Sequence, residues 1–135
     1  LPIGTTDSEH AFCHMLSRIR RELPANASYR SIARLVRDTA TGLATLGEFN
    51  FLLCDGRRLF AFCTKKLVFI ERRAPFARAA LADDDFEIDF NDVTRPDDRV
   101  VVVATRPLTH NEVWTPIRSG ELRVFADGVS VHTLG

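Results

Sequence analysis

Residues 49–64 constrain the architecture more than any other stretch of the chain. Two apolar runs, Phe49 to Cys54 and Leu59 to Thr64, flank Asp55-Gly56, and an Asp-Gly pair between such runs is a strong hairpin signal. With Cys54 facing Arg57, the predicted register sets Phe49, Phe51 and Leu53 opposite Phe62, Phe60 and Arg58 on one face. The other face carries Asn50, Leu52 and Cys54 opposite Ala61, Leu59 and Arg57. One face is bulky and aromatic, the other small. A sheet of this kind is expected to bury both sides, with helices over one face and a second sheet against the other. The register leaves Cys54 and Cys63 off-pair on unlike sites, which argues against a disulfide between them.

Upstream of the hairpin the apolar period is helical. Phe12, Met15, Leu16, Ile19 and Leu23 follow the i, i+3, i+4, i+7 rule, and Pro24 stops that helix. Ile32, Val36, Leu43 and Leu46 form a second stripe, with Gly47 placed as a C-cap. Arg30, Arg34 and Arg37 fall largely on its solvent side, as a hydrated helix face rather than an anion site.

Downstream the pattern is strand-like. Leu67 to Ile70 continues the sheet, and Arg99 to Thr105 is a β-branched run typical of a buried central strand. Glu121 to Ala126 and Val129 to Leu134 flank Asp127-Gly128 as a second hairpin. Between Arg73 and Asp98 the chain makes a long excursion, with a short strand predicted near Phe86 to Phe90. Asp83, Asp84, Asp85 and Asp89 lack the Gly and Glu of a calcium-binding loop in register, so they read as a solvated turn. Two helices followed by mostly antiparallel strands make an α+β chain, with no repeat and no linker dividing it.

With 135 residues, 45% of them hydrophobic, the chain is long enough for one ordinary globular domain. Eighteen basic and eighteen acidic residues cancel, which gives no support to nucleic-acid or anionic-membrane binding. No apolar run approaches the roughly 20 residues that span a bilayer, and no signal peptide is visible. Three unpaired cysteines fit a reduced, cytoplasmic protein.

Gly4-Thr5-Thr6-Asp7-Ser8-Glu9-His10-Ala11-Phe12 reads as a helix start. Thr6 and Glu9 have capping-box spacing, with the Thr hydroxyl accepting from the Glu9 N–H and the Glu reaching back to the N-cap N–H. Asp7 then falls in the first turn, where the helix terminus favours a carboxylate. His10 and His14, four apart with Cys13 between them, could face a metal. A third ligand at matched spacing is not evident, so no metal site is assigned. Cys13 is expected to be a small buried hydrophobe, Trp114 a packing residue, and Asn50 a structural residue needing hydrogen-bond partners if buried. There is no nucleophile elbow, phosphate loop or dinucleotide fingerprint, and no cofactor is expected.

The segment from Gly4 to Cys13 resembles one found in class II, N-terminal-nucleophile glutamine amidotransferases, especially the small stand-alone bacterial kind. The resemblance continues through Phe49-Asn50-Phe51-Leu52-Leu53-Cys54-Asp55-Gly56 and Arg73-Ala74-Pro75-Phe76. It returns in Val103-Ala104-Thr105-Arg106-Pro107-Leu108-Thr109, with Glu112 and Trp114 behind it, and in Gly120-Glu121-Leu122. These blocks run in family order over nearly the whole chain.

The resemblance implies the α/β/β/α sandwich of N-terminal-nucleophile hydrolases, and hydrolysis of the glutamine side-chain amide to glutamate and ammonia through an N-terminal Cys thioester. Family members carry that Cys, a substrate-gripping Arg and an oxyanion-hole Asn-Gly pair upstream of the Thr-Asp-Ser-Glu motif. This chain begins at Leu1, six residues before Asp7. Residues 1–135 are therefore expected to be the C-terminal part of a single amidotransferase domain, with no catalytic nucleophile of their own. Of the family's working residues only the motif Asp is present; it maps onto Asp7, whose implied role is to accept a hydrogen bond from the substrate α-ammonium. Thr5 and Thr6 are expected to support the loop that aims it. The implied partners are L-glutamine or a related γ-glutamyl amide, the N-terminal half of the domain, and an ammonia acceptor that this half does not identify. Two alternatives stay open: a non-catalytic amidotransferase-like interaction module, and an amidase for another γ-glutamyl compound, as in ergothioneine biosynthesis. His14, where an aromatic is common, and Arg106 in the Thr-x-Pro-Leu block depart from the family pattern.

Overall fold

A computed structural model of the chain describes residues 2–76, 79–80, 82, 87–88 and 95–135. Helix α1 spans Asp7–Glu22 and α2 spans Tyr29–Ala44. Strands follow: β1 Phe51–Cys54, β2 Arg58–Phe62, β3 Leu67–Arg73, β4 Ala79–Ala80, β5 Glu87–Ile88, β6 Arg99–Ala104, β7 Thr115–Ile117, β8 Leu122–Ala126 and β9 Val129–Leu134. They form antiparallel sheets ordered β1-β2-β8-β9 and β6-β3-β7, with β4 and β5 paired as a small third sheet. Asp83, Asp84, Asp85, Asp89 and most of the strand expected near Phe86 to Phe90 lie outside the described residues.

The unlike faces of the hairpin separate two cores. Phe60 and Phe62 are buried with Leu122 and Val124 against Met15 of α1 and Ala33, Val36 and Ala40 of α2. Ala61 and Cys63, pointing the other way, pack with Phe125 against Leu67, Phe69 and Ile117 of the second sheet. Helices, four-stranded sheet and three-stranded sheet thus lie in that order. Arg18 ties the helices together, donating to Glu22 within α1 at 2.8 Å and to the buried Thr39 hydroxyl of α2 at 3.0 Å.

The first hairpin turns one residue later than expected. Phe51 pairs with Phe62, Leu53 with Phe60 and Cys54 with Leu59, so Gly56-Arg57, rather than Asp55-Gly56, forms the two-residue loop. The Asp55 carboxylate is the cause: its Oδ1 accepts from the N–H groups of Arg57 at 2.9 Å and Arg58 at 2.7 Å. That makes Asp55 the residue entering the turn. The displacement moves the pairing by two residues, an even number, so every side chain keeps its expected face. In the second hairpin Ala126 pairs with Val129, and Asp127 and Gly128 both hold positive φ (50° and 73°), as a type I′ turn demands.

Two other expectations need correction. Gly47 is not the C-cap of α2; the helix ends at Ala44, and the Thr45 hydroxyl donates to the Gly42 carbonyl at 2.7 Å. The run from Arg99 is not a central strand: β6 lies at the edge of its sheet among the described residues, with Val100 left 42% exposed. Only its inward residues, Val101 and Val103, meet the core. Asn50 has the structural role expected of it, though at an exposed position. Its amide donates to the Lys65 carbonyl at 2.7 Å and accepts from the Thr64 N–H at 2.8 Å, closing the β2–β3 turn onto β1.

Candidate functional site

The start of α1 is built as expected on one side and differently on the other. The Thr6 hydroxyl accepts from the Glu9 N–H at 3.3 Å. Glu9, however, reaches past the N-cap. Its Oε1 accepts from the N–H groups of Ile3 at 2.6 Å and Gly4 at 2.8 Å. These two bonds, Gly4's first, hold the Glu9 carboxyl below its usual range. A Cβ at Gly4 would run into the Glu9 carboxylate, so a larger residue there would have to displace the clamp. Glu9 therefore clamps the segment ahead of the helix, and Asp7 is left as the first-turn carboxylate with nothing to hold it. No hydrogen bond or ion pair engages Asp7 among the described residues.

Asp7 lines a cleft of about 710 Å³. Asp7, His10, Ala11 and His14 form one wall, at i, i+3, i+4 and i+7 of α1, with Ser8 at its edge. The facing wall is Leu43, Leu46, Gly47, Glu48 and Phe49, the connection from α2 into β1. Glu48 accepts from the Lys65 ammonium at 2.6 Å. An exposed carboxylate at a helix start, beside two imidazoles and facing a wall that mixes Leu43, Leu46 and Phe49 with Glu48, suits a small ligand that presents an ammonium group. The sequence marked Asp7, while His10 and His14 were weighed only as metal ligands; their shared helical face with Asp7 was the signal that they line the same cleft. Among the described residues no group of three or more His, Cys, Asp or Glu side chains could hold a metal. Thr6 caps the helix beneath Asp7, and Thr5 stands exposed beside it. Cys13 is half-buried rather than fully enclosed.

The remaining motif residues gather elsewhere. Arg72 of β3 grips Glu112 through two bonds of 2.8 and 2.5 Å, across forty residues of sequence. The Thr109 hydroxyl donates to Glu112 at 2.8 Å, and the Trp114 indole N–H donates to Thr109 at 2.9 Å. This chain of bonds pins the β6–β7 connection to the sheet. Arg72 holds the Glu112 carboxyl below its usual range, against the opposing effect of burial. A depressed folded-state pKa contributes stability that is present above the unfolded value of about 4.3 and is lost as pH falls through the lower folded value. Hydrogen exchange is expected to show residues 105–114 opening selectively as pH drops below about 4. In Glu112→Gln the protection of this loop should lose its acid dependence.

Comparison with known proteins places the chain. The family described as Glutamine amidotransferases class-II matches residues 1–134. An Escherichia coli (strain K12) protein named "Putative glutamine amidotransferase YafJ" is 44% identical over 131 residues, covering 96% of this chain and 51% of that protein. A Haemophilus influenzae protein named "Putative glutamine amidotransferase" is 38% identical over 130 residues, covering 96% of this chain and 44% of its own length. A crystal structure described as a "predicted glutamine amidotransferase from Pseudomonas aeruginosa PA01" superposes with a TM-score of 0.86 at 43% identity, covering 98% of this chain and 52% of that one. The chain spans about half the length of these relatives. On the family match and these identities together, the chain belongs to the class II glutamine amidotransferases.

Proposed function

We propose that this chain is the C-terminal half of a domain that hydrolyses the side-chain amide of glutamine to glutamate and ammonia, and that it supplies one of the substrate contacts. The observation that carries the reading is the Asp7 carboxylate, exposed at a helix start in a cleft of about 710 Å³, with no partner among the described residues. It would accept a charge-assisted hydrogen bond from the α-ammonium of bound glutamine. An N-terminal Cys, supplied by the part of the domain outside this sequence, would attack the amide carbonyl. Ammonia would leave, and water would release glutamate from the thioester. The layers described above would then form part of the α/β/β/α sandwich of N-terminal-nucleophile hydrolases, with residues 1–135 as its C-terminal part and the cytoplasm as its compartment. Among the described residues no helix is long and apolar enough to cross a membrane.

The test is glutamate release. The full-length protein should convert glutamine to glutamate and ammonia, and should lose that activity when its N-terminal Cys is replaced by Ala. The purified 135-residue chain should release no glutamate, because it carries neither nucleophile nor oxyanion donors. Turnover by the isolated chain would remove the proposal. His14 in the cleft wall favours one second reading, in which the amide belongs to another γ-glutamyl compound. Comparing kcat/KM for glutamine with that for other γ-glutamyl amides decides between the two.

A further inference from the structure

The turns of the two hairpins and the start of β6 enclose a second cleft, of about 340 Å³. Its floor is apolar. Leu59 of β2, Val101 of β6 and Phe125 of β8 line it, and all three belong to or pack on the core between the two sheets. Its mouth is polar, with Arg57 from the first hairpin loop, Arg99 from β6, Asp127 from the second loop and the Cys54 thiol. Arg99 shares the inward parity of Val101 and Val103. The second turn stands directly against it: Gly128 has a φ of 73°, and a Cβ there would run into the Arg99 backbone. Cys54 ends β1, whereas Phe49, ahead of β1, lines the Asp7 cleft, so the two clefts stand at opposite ends of that strand.

The arginines at this end differ in what holds them. The Arg58 guanidinium donates to Asp55 at 3.2 Å and lies 5.0 Å from the centre of the Tyr29 ring, on the helix side of the sheet. Arg57 and Arg99 are exposed at the mouth, and no hydrogen bond or ion pair engages either guanidinium among the described residues. Asp127 is the one acidic residue lining the cleft among those described. With Arg58 balanced by Asp55, the mouth carries one net positive charge. Two planar guanidiniums above an apolar floor match a carboxylate on an apolar body, since a guanidinium fork fits the two carboxylate oxygens. The volume is that of a small-molecule site rather than of a macromolecular surface.

We propose that this cleft binds a small organic monocarboxylate, with its carboxylate between Arg57 and Arg99 and its apolar body on Leu59, Val101 and Phe125. Each part of the cleft selects one property of the ligand. The two free guanidiniums select an anion. Asp127 repels a multiply charged one, so a single carboxylate is favoured over a phosphate. The floor rewards an apolar chain that leaves water, which a bare inorganic ion cannot offer. The site is separate from glutamine recognition at Asp7, and neither depends on the other.

Cys54, exposed and lining the mouth, serves as the reporter. In the folded full-length protein, hexanoate is expected to slow alkylation of Cys54 by iodoacetamide, read by mass spectrometry of the peptide that carries it. Cys13, on α1 and outside this cleft, should keep its rate. Arg57→Gln and Arg99→Gln each remove an exposed side chain that holds nothing else, so the fold should tolerate both. Each should require at least about tenfold more hexanoate for the same protection, the loss of one charge-assisted bond. Protection unchanged in both variants overturns the proposal. Equal protection by the uncharged hexanamide overturns it as well, because the arginines would then play no part. Equal protection by inorganic phosphate removes the role of the apolar floor and of Asp127. No protection by hexanoate, or a Cys54 that the reagent cannot reach in the full-length protein, also overturns it.

Discussion

Asp7→Asn in the full-length protein is expected to lower kcat/KM for glutamine by about tenfold to 150-fold, mainly through KM. The range is the contribution of a hydrogen bond to a charged group, about 1.5–3 kcal/mol. The substitution keeps the shape and an acceptor oxygen but removes the charge that, on the proposed function, would meet the substrate ammonium. The fold should tolerate it. Asp7 is exposed and makes no internal bond among the described residues, so the loss is the first-turn interaction with the helix dipole, about 0.3–1 kcal/mol. The Thr6 cap and the Glu9 clamp remain in place. A control sharpens the test: a γ-amide that lacks the α-amino group should be processed equally by wild type and Asp7→Asn, because neither can use the carboxylate. Wild-type kinetics for glutamine in the variant would take Asp7 out of the site. A matched loss on the amine-free amide would mean that the substitution acts through the fold.

Local chemistry was the most legible part of the sequence. Helical and alternating periods placed both helices and both hairpins, because each pattern must match a one-sided burial. The asymmetry of the first hairpin also foretold its neighbours, since phenylalanines on one face and Ala61 and Cys63 on the other cannot fill the same kind of space. What failed was set by interactions that periodicity does not encode. The Asp55 carboxylate moved the turn by bonding two backbone N–H groups. The Thr45 hydroxyl ended α2 before Gly47 was reached. A run of valines reports apolar surroundings but not rank in a sheet, so β6 read as central while lying at an edge. At the cleft, the motif pointed to Asp7, which lines one wall. The wall opposite it comes from the α2–β1 connection, where no regular period exists. The pairing of Arg72 with Glu112 spans forty residues and leaves no local trace.

Phe62→Ala is expected to destabilise the protein by about 3–5 kcal/mol, the usual cost of emptying a buried phenylalanine site. Phe62 is 1% exposed, sits between Phe51 and Leu122 in the sheet, and stacks on Phe51 with ring centroids 5.7 Å apart. Its neighbours on adjacent strands cannot move in without breaking the ladder, so the cavity should persist. Against a total stability of about 5–15 kcal/mol, the melting temperature should fall on the order of 10 °C. The neighbouring position makes the comparison specific. Ala61 points into the other core, among Leu67, Phe69 and Ile117, and Ala61→Leu should cost about 1–3 kcal/mol by overpacking. The two variants should also part in function. The cavity at Phe62 opens beneath Met15 of α1, two turns from Asp7, and should raise KM for glutamine as the helix loosens. Overpacking at Ala61 strains the interface between sheets and should leave KM unchanged. Equal effects on KM would show that Asp7 is held by its own N-terminal clamp rather than by the packing of α1 on the aromatic face.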